Sequence, residues 1–118
     1  MSKESGETTL SVAEVQALLL SQAAIALGDV IDSPERSLHA LAAALDRNAH
    51  VWVSLKAILS LDGCSLSSDV RANIGRLADY VLVRTNQGAE NVGEETVRTF
   101  ININLQIAEG LLEGIKAQ

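Results

Sequence analysis

Few residues in this chain are of types that do chemistry, and their spacing decides what they could do. His39 and His50 are the only histidines. A helical bundle can carry a phosphoryl group on an exposed histidine, but such domains place a lysine three residues on and a glycine just beyond. Here Val51, Trp52 and Val53 follow His50, and Lys56 arrives too late. Asp46 and His50 share a helix face four residues apart, yet two ligands do not complete a zinc site. Cys64 has no second cysteine to pair with. The carboxylate pairs Asp29/Asp32 and Glu94/Glu95 fall at helix ends, where capping and dipole compensation explain them better than acid–base work. No Gly-rich phosphate loop, serine elbow or Ser/His/Asp set is present. These residues predict neither an enzyme nor a cofactor or metal site.

Two asparagines say more. Leu38, Leu41, Leu45, Asn48, Trp52, Leu55 and Leu59 recur at alternating spacings of three and four, the repeat of a helix with one stripe turned to partner helices. Val97, Ile101, Asn104, Ala108, Leu111 and Ile115 repeat it near the C-terminus. A buried amide left unpaired costs about 1–3 kcal/mol. Asn48 and Asn104 are therefore expected to be buried and hydrogen-bonded, to each other or to nearby backbone. Trp52 is expected to be a core side chain.

The elements that must position these residues are four helices. Ser11 with Glu14 matches a capping box and opens the first, whose apolar face reads Val12, Val15, Leu18, Leu19, Gln22, Ile25 and Ala26 until Gly28 and Asp29 break it. Ser33 with Pro34 opens the second, which runs to about Leu61 and ends at the Asp62-Gly63 turn signal. Ala44, Val51 and Ile58 form a stripe on its flank. The third helix starts at Ser67 or Ser68, turns Val70, Ile74, Leu77 and Val81 inward and stops over Asn86 to Gly88. The fourth starts near Asn91. Within it, Gly110 and Gly114 predict either close helix approach or a frayed end.

The 118 residues suit one domain with a modest core. Aromatic residues make up only 3%, so aliphatic side chains must fill that core, which favours helix packing. The expected architecture is all-α, a four-helix bundle over residues 11–118 with a flexible, disordered tail over residues 1–10. A net charge of −6 with scattered basic residues argues against direct binding of nucleic acid. The N-terminal residues lack a signal peptide's apolar run, no run approaches the ~20 apolar residues of a membrane span, and the lone cysteine fits a reducing cytoplasm.

The second helix carries Ala-Leu-Asp-Arg-Asn-Ala-His-Val-Trp from Ala44 to Trp52. The third carries Leu66, then Val70-Arg71-Ala72-Asn73-Ile74. The last carries Ile103-Asn104-Leu105-Gln106-Ile107 and then Gly110-Leu111. An asparagine followed four residues on by tryptophan, then Leu-x-x-x-Val-Arg-Ala, then Ile-Asn-x-x-Ile-x-x-Gly-Leu, resembles the FlaF family of bacterial flagellar proteins over roughly Leu38 to Leu112. The family-motif residues are Asn48, Trp52, Arg71, Ile103, Asn104, Ile107, Gly110 and Leu111.

That resemblance implies a non-enzymatic, cytoplasmic role in producing or exporting flagellin, as a flagellin-binding chaperone acting with the small protein FlbT. An amphipathic flagellin segment would lie in an apolar groove. Leu18 and Leu19 on the first helix, and Ala44, Val51 and Ile58 on the second, are the candidate partner-binding residues. The alternative for them is closure of the core of a monomer or a homodimer. A phosphotransfer or regulatory bundle of a signalling pathway is the alternative function.

Overall fold

A computed structural model of the chain describes residues 11–61 and 66–117. The expected tail over residues 1–10, the Asp62-Gly63 turn and Cys64 lie outside them, as does the side chain of Ile115. The described residues form four α-helices: α1 (Val12–Asp32), α2 (Leu38–Leu59), α3 (Ser68–Thr85) and α4 (Glu94–Ala117). A short 3-10 turn, Ala89–Asn91, precedes α4.

Serines start three of these helices. Ser11 accepts from the Glu14 backbone N–H at 3.1 Å while Glu14 accepts from the Ser11 N–H at 2.8 Å, the reciprocal box expected from sequence. Ser37 caps α2 through the Ala40 N–H, and Ser67 caps α3 through the Val70 N–H. Each bond satisfies one donor that the first helical turn cannot pair internally.

Two boundaries differ from expectation. α1 does not stop at Gly28-Asp29 but continues to Asp32. Ile31 falls on the same stripe as Leu20 and Leu27 and is buried with them. Burying it contributes about 1.5–3 kcal/mol, which exceeds the ~1 kcal/mol cost of one helical glycine. α2 starts four residues later than Ser33-Pro34 suggests, because Arg36 sits at φ 44°, in the left-handed region, and breaks helical continuity. Ser33 instead closes α1, its N–H donating to the Val30 carbonyl.

The face of α1 also differs. Its buried residues are Gln16, Ala17, Leu20, Ala23, Ala24, Leu27 and Ile31, whereas Val12, Leu18 and Ile25 are exposed. Small alanines on the inner stripe let α1 approach its neighbours closely, and the larger side chains remain outside. Contrary to the sequence expectation, α1 is long and apolar enough, by length and composition, to cross a membrane. In this fold its inner stripe is packed against other helices.

α1 packs most extensively on α4 and next on α2, while α2 carries α3 on its other side. α3 meets α4 only slightly, chiefly where Tyr80 sets its ring edge-on to Phe100, with centroids 5.9 Å apart. Arg84 stacks over the same Tyr80 ring. Lys56 of α2 pairs with Asp79 of α3. Val70, expected to face inward, is exposed, and α3 commits only Ile74, Ala78 and Val81 to the buried core.

Candidate functional site

The α2 seam is buried from Leu45 through Leu59, with Leu41 half-buried and Leu38 left exposed at the helix start. Asn48 and Trp52 stand one turn apart in its middle, both without solvent exposure. Asn104, at the corresponding place on α4, is equally buried. The Asn104 side-chain amide donates to Asn48 Oδ1 at 2.7 Å and to the Leu20 carbonyl of α1 at 3.0 Å. Its own Oδ1 accepts from Trp52 Nε1 at 2.9 Å. One amide thus joins three helices. Asn48 is peripheral to this cluster, since its Nδ2 has no partner.

The arrangement binds helices to each other. Both N–H donors and the oxygen of the Asn104 amide are engaged, no ionisable group takes part, and solvent does not reach it. It has no nucleophile and no proton to transfer. Its chemistry is specification: only one register of α1, α2 and α4 satisfies all three bonds, and a slip strands polar atoms in an apolar interior.

The other family-motif residues sort around it. Ile103 and Ile107 are half-buried against the core and Leu111 is buried. Gly110 is exposed, and a Cβ built there would meet nothing within 4 Å, so the helix approach considered for this glycine is not present; the same holds at Gly114. Arg71 is half-buried on α3, with its Nε buried and unpaired, away from the asparagine cluster.

The candidate partner-binding residues divide. Ala44 and Val51 are buried in the core, and Ile58 is half-buried, so this stripe closes the core and offers no open groove on the monomer. A flank of α2 that looks free in sequence is covered by a neighbouring helix. Leu19 is half-buried against the core, and Leu18 is 48% exposed.

A charged cluster that the sequence reading did not anticipate ties the α1–α2 corner to the start of α4. Arg98 donates two hydrogen bonds to Glu94 Oε2, at 3.0 and 2.8 Å, and lies 3.6 Å from Asp32. Arg36 pairs with the other Glu94 oxygen at 2.6 Å. The hydrogen bonds from Arg98 and then Arg36 hold the Glu94 carboxyl below the usual range, and Glu94 raises Arg98 in turn. The i, i+4 spacing of Glu94 and Arg98 was the available signal; the contributions of Arg36 and Asp32 depend on tertiary placement. Phe100 was also missed, and it is fully buried.

A cleft of about 170 Å³ beneath this cluster is lined by Val30, Ile31, Leu41, Val92 and Val97, with Arg36 and Glu94 at its edge. It is smaller than the ~300 Å³ at which ligand pockets begin. His39 and His50 are on the solvent side of α2, and His50 Nδ1 lies 2.8 Å from the Asp46 carbonyl one turn back. Among the described residues, no three His, Cys, Asp or Glu side chains gather as metal ligands would.

No curated protein and no solved structure matches the chain. The family model described as "Flagellar protein FlaF" matches residues 2–111. The match extends the resemblance from the last three helices back through α1, the helix whose Leu20 carbonyl completes the asparagine cluster. With the Asn-Trp pair of α2 and the Ile-Asn of α4 meeting in one bonded cluster inside that span, the chain belongs to the FlaF family of flagellar proteins.

Proposed function

We propose that this chain is a cytoplasmic, non-enzymatic flagellar biosynthesis factor that promotes flagellin synthesis or export by binding flagellin as a chaperone, together with FlbT. The observation that carries this reading is the family match over residues 2–111. The interior is consistent with it. Asn48, Asn104 and Trp52 are joined through their side chains as structural fasteners, and the functional surface is left to the outside of the bundle. There, large apolar side chains stand exposed on α1 and α4, among them Leu18 and Leu112, as a protein that docks an amphipathic helix requires.

The test is co-purification. The tagged full chain is mixed with lysate from a flagellated host, and captured proteins are identified by mass spectrometry. Flagellin recovered at stoichiometric level, and again from purified components, is the expected result. FlbT captured without flagellin would shift the role to FlbT, and recovery of neither would overturn the reading.

A further inference from the structure

We infer that the docking surface is the outer seam between α1 and α4, and that its occupant is an amphipathic helix with basic flanks. This deepens the flagellin-binding reading and rests on it for the partner's identity. The Asp32–Arg98 ion pair and the 3.9 Å approach of a Gly28 Cβ to Ile101 set α1 and α4 antiparallel in a defined register. Seven residues is two helical turns, about 10.5 Å along the axis, and returns to nearly the same face. Stepping back by seven from Asp32 gives Ile25 and then Leu18. Stepping forward by seven from Arg98 gives Leu105 and then Leu112. The ion pair is therefore the end rung of a ladder whose next two rungs are Ile25 with Leu105 and Leu18 with Leu112. All four apolar side chains are exposed, by 62, 45, 48 and 41% respectively. Apolar anchors at i and i+7 of a docked helix match the spacing of these rungs.

Charge selects the occupant. Asp29 lies one turn beyond Ile25, Glu109 one turn beyond Leu105, and Glu14 one turn before Leu18, so carboxylates border the strip. α1 holds no lysine or arginine. Among the residues whose side chains are described, the cation beside the strip is Arg98, and it is already paired with Glu94 and Asp32. Asp29 and Glu109 have no hydrogen bond or ion pair among the described residues and are free to meet cations on a partner. An anionic membrane surface, or a second copy of this same acidic seam, would bring like charges together.

The test uses the full chain and two labelled peptides, each an amphipathic helix with leucines at i, i+3 and i+7, flanked in one by lysines and in the other by glutamates. Fluorescence anisotropy should show the lysine peptide binding at least ~10-fold tighter and weakening as salt screens the rim. Ile25→Ser/Leu105→Ser should lose that binding with the thermal midpoint retained. Asp29→Lys/Glu109→Lys, which keeps the apolar rungs, should reverse the peptide preference. Equal affinity for both peptides, no binding of either, or variants that bind as wild type would overturn the inference. So would binding to phosphatidylglycerol vesicles, or self-association, that Ile25→Ser/Leu105→Ser abolishes. Flagellin captured equally by wild type and Ile25→Ser/Leu105→Ser would remove this seam while leaving the proposed function standing. A wild type that prefers the lysine peptide but fails to capture flagellin would do the reverse.

Discussion

Asn48 and Asn104 look equivalent in sequence, each an amide in an apolar stripe, but the structure makes their substitution costs unequal. Asn104→Leu removes the centre of the cluster. It strands Trp52 Nε1 and Asn48 Oδ1, both buried, while the Leu20 carbonyl retains its place in the α1 hydrogen-bond ladder. Two stranded polar groups at about 1–3 kcal/mol each give a loss of ~2–6 kcal/mol. Asn48→Leu takes away one acceptor. Asn104 keeps Leu20 and Trp52 as partners, and the substitution also removes an Nδ2 that is already unpaired. Its cost is ~0–2 kcal/mol. In a domain of this size 1 kcal/mol moves the melting temperature by ~3–6 °C, so Asn104→Leu should lower it by about 6–36 °C and Asn48→Leu by no more than about 12 °C. Urea unfolding provides the assay, with far-UV circular dichroism and the fluorescence of Trp52, the sole tryptophan, which sits inside the cluster. The double variant should cost less than the sum of the singles, because Asn48 Oδ1 is no longer there to be stranded. If Asn48→Leu proves as costly as Asn104→Leu, or if the two effects simply add, the account of Asn104 as the hub is wrong.

Other substitutions test neighbouring parts of the argument. Trp52→Ala should cost ~3–5 kcal/mol as a large core truncation, and Trp52→Phe, which keeps most of the ring but strands Asn104 Oδ1, ~1–3 kcal/mol by the same denaturation curves. Gly110→Ala should raise the melting temperature, by ~0.5–1 kcal/mol of stability, since the added methyl meets nothing and the residue lies within α4. Gly88→Ala should do the opposite, by ~1–3 kcal/mol, because φ 96° is strained for any L side chain. Glu94 titrates lower folded than unfolded, so its stabilisation is present above the ordinary glutamate range and is lost as pH falls through its depressed folded value. Glu94→Gln should therefore flatten the acid limb of a stability–pH curve measured at low salt and leave the alkaline limb unchanged.

Period and polarity made most of the fold legible. The α2 seam and the α4 stripe could be read because each mixes one asparagine with aliphatic residues at helical spacing, and a polar residue in such a stripe has few places to go except against another. The face of α1 could not be read in the same way. Its sequence is apolar nearly all round, with Leu18-Leu19-Leu20 covering 200° of the helix in three residues, so periodicity alone does not choose an inner side. Close packing chose the stripe of alanines with Leu20, Leu27 and Ile31. The Ala44-Val51-Ile58 stripe shows the opposite failure. Its spacing marks a second apolar flank, but whether a flank is covered depends on where α3 lies, and that is set by the burial of Ile74, Ala78 and Val81 against the core.

Burial and exposure on α1 then have separate causes. The inner stripe uses alanine where helices come close, and its Leu20 and Leu27 belong to the same buried core as Trp52. A helix packed through one stripe needs nothing apolar on its other side, and isolated exposed leucines are ordinary in any protein. Ile25 and Leu18, however, are not isolated. They are two consecutive rungs in register with Leu105 and Leu112, on the same helix pair whose inner faces are locked by Asn104. Hydrogen bonds at the centre fix the distance and register of α1 and α4, and that register aligns the outer side chains into one strip. Loosening the Asn104 hub should therefore weaken any binding at the outer seam before the protein unfolds, a coupling that neither helix could produce alone.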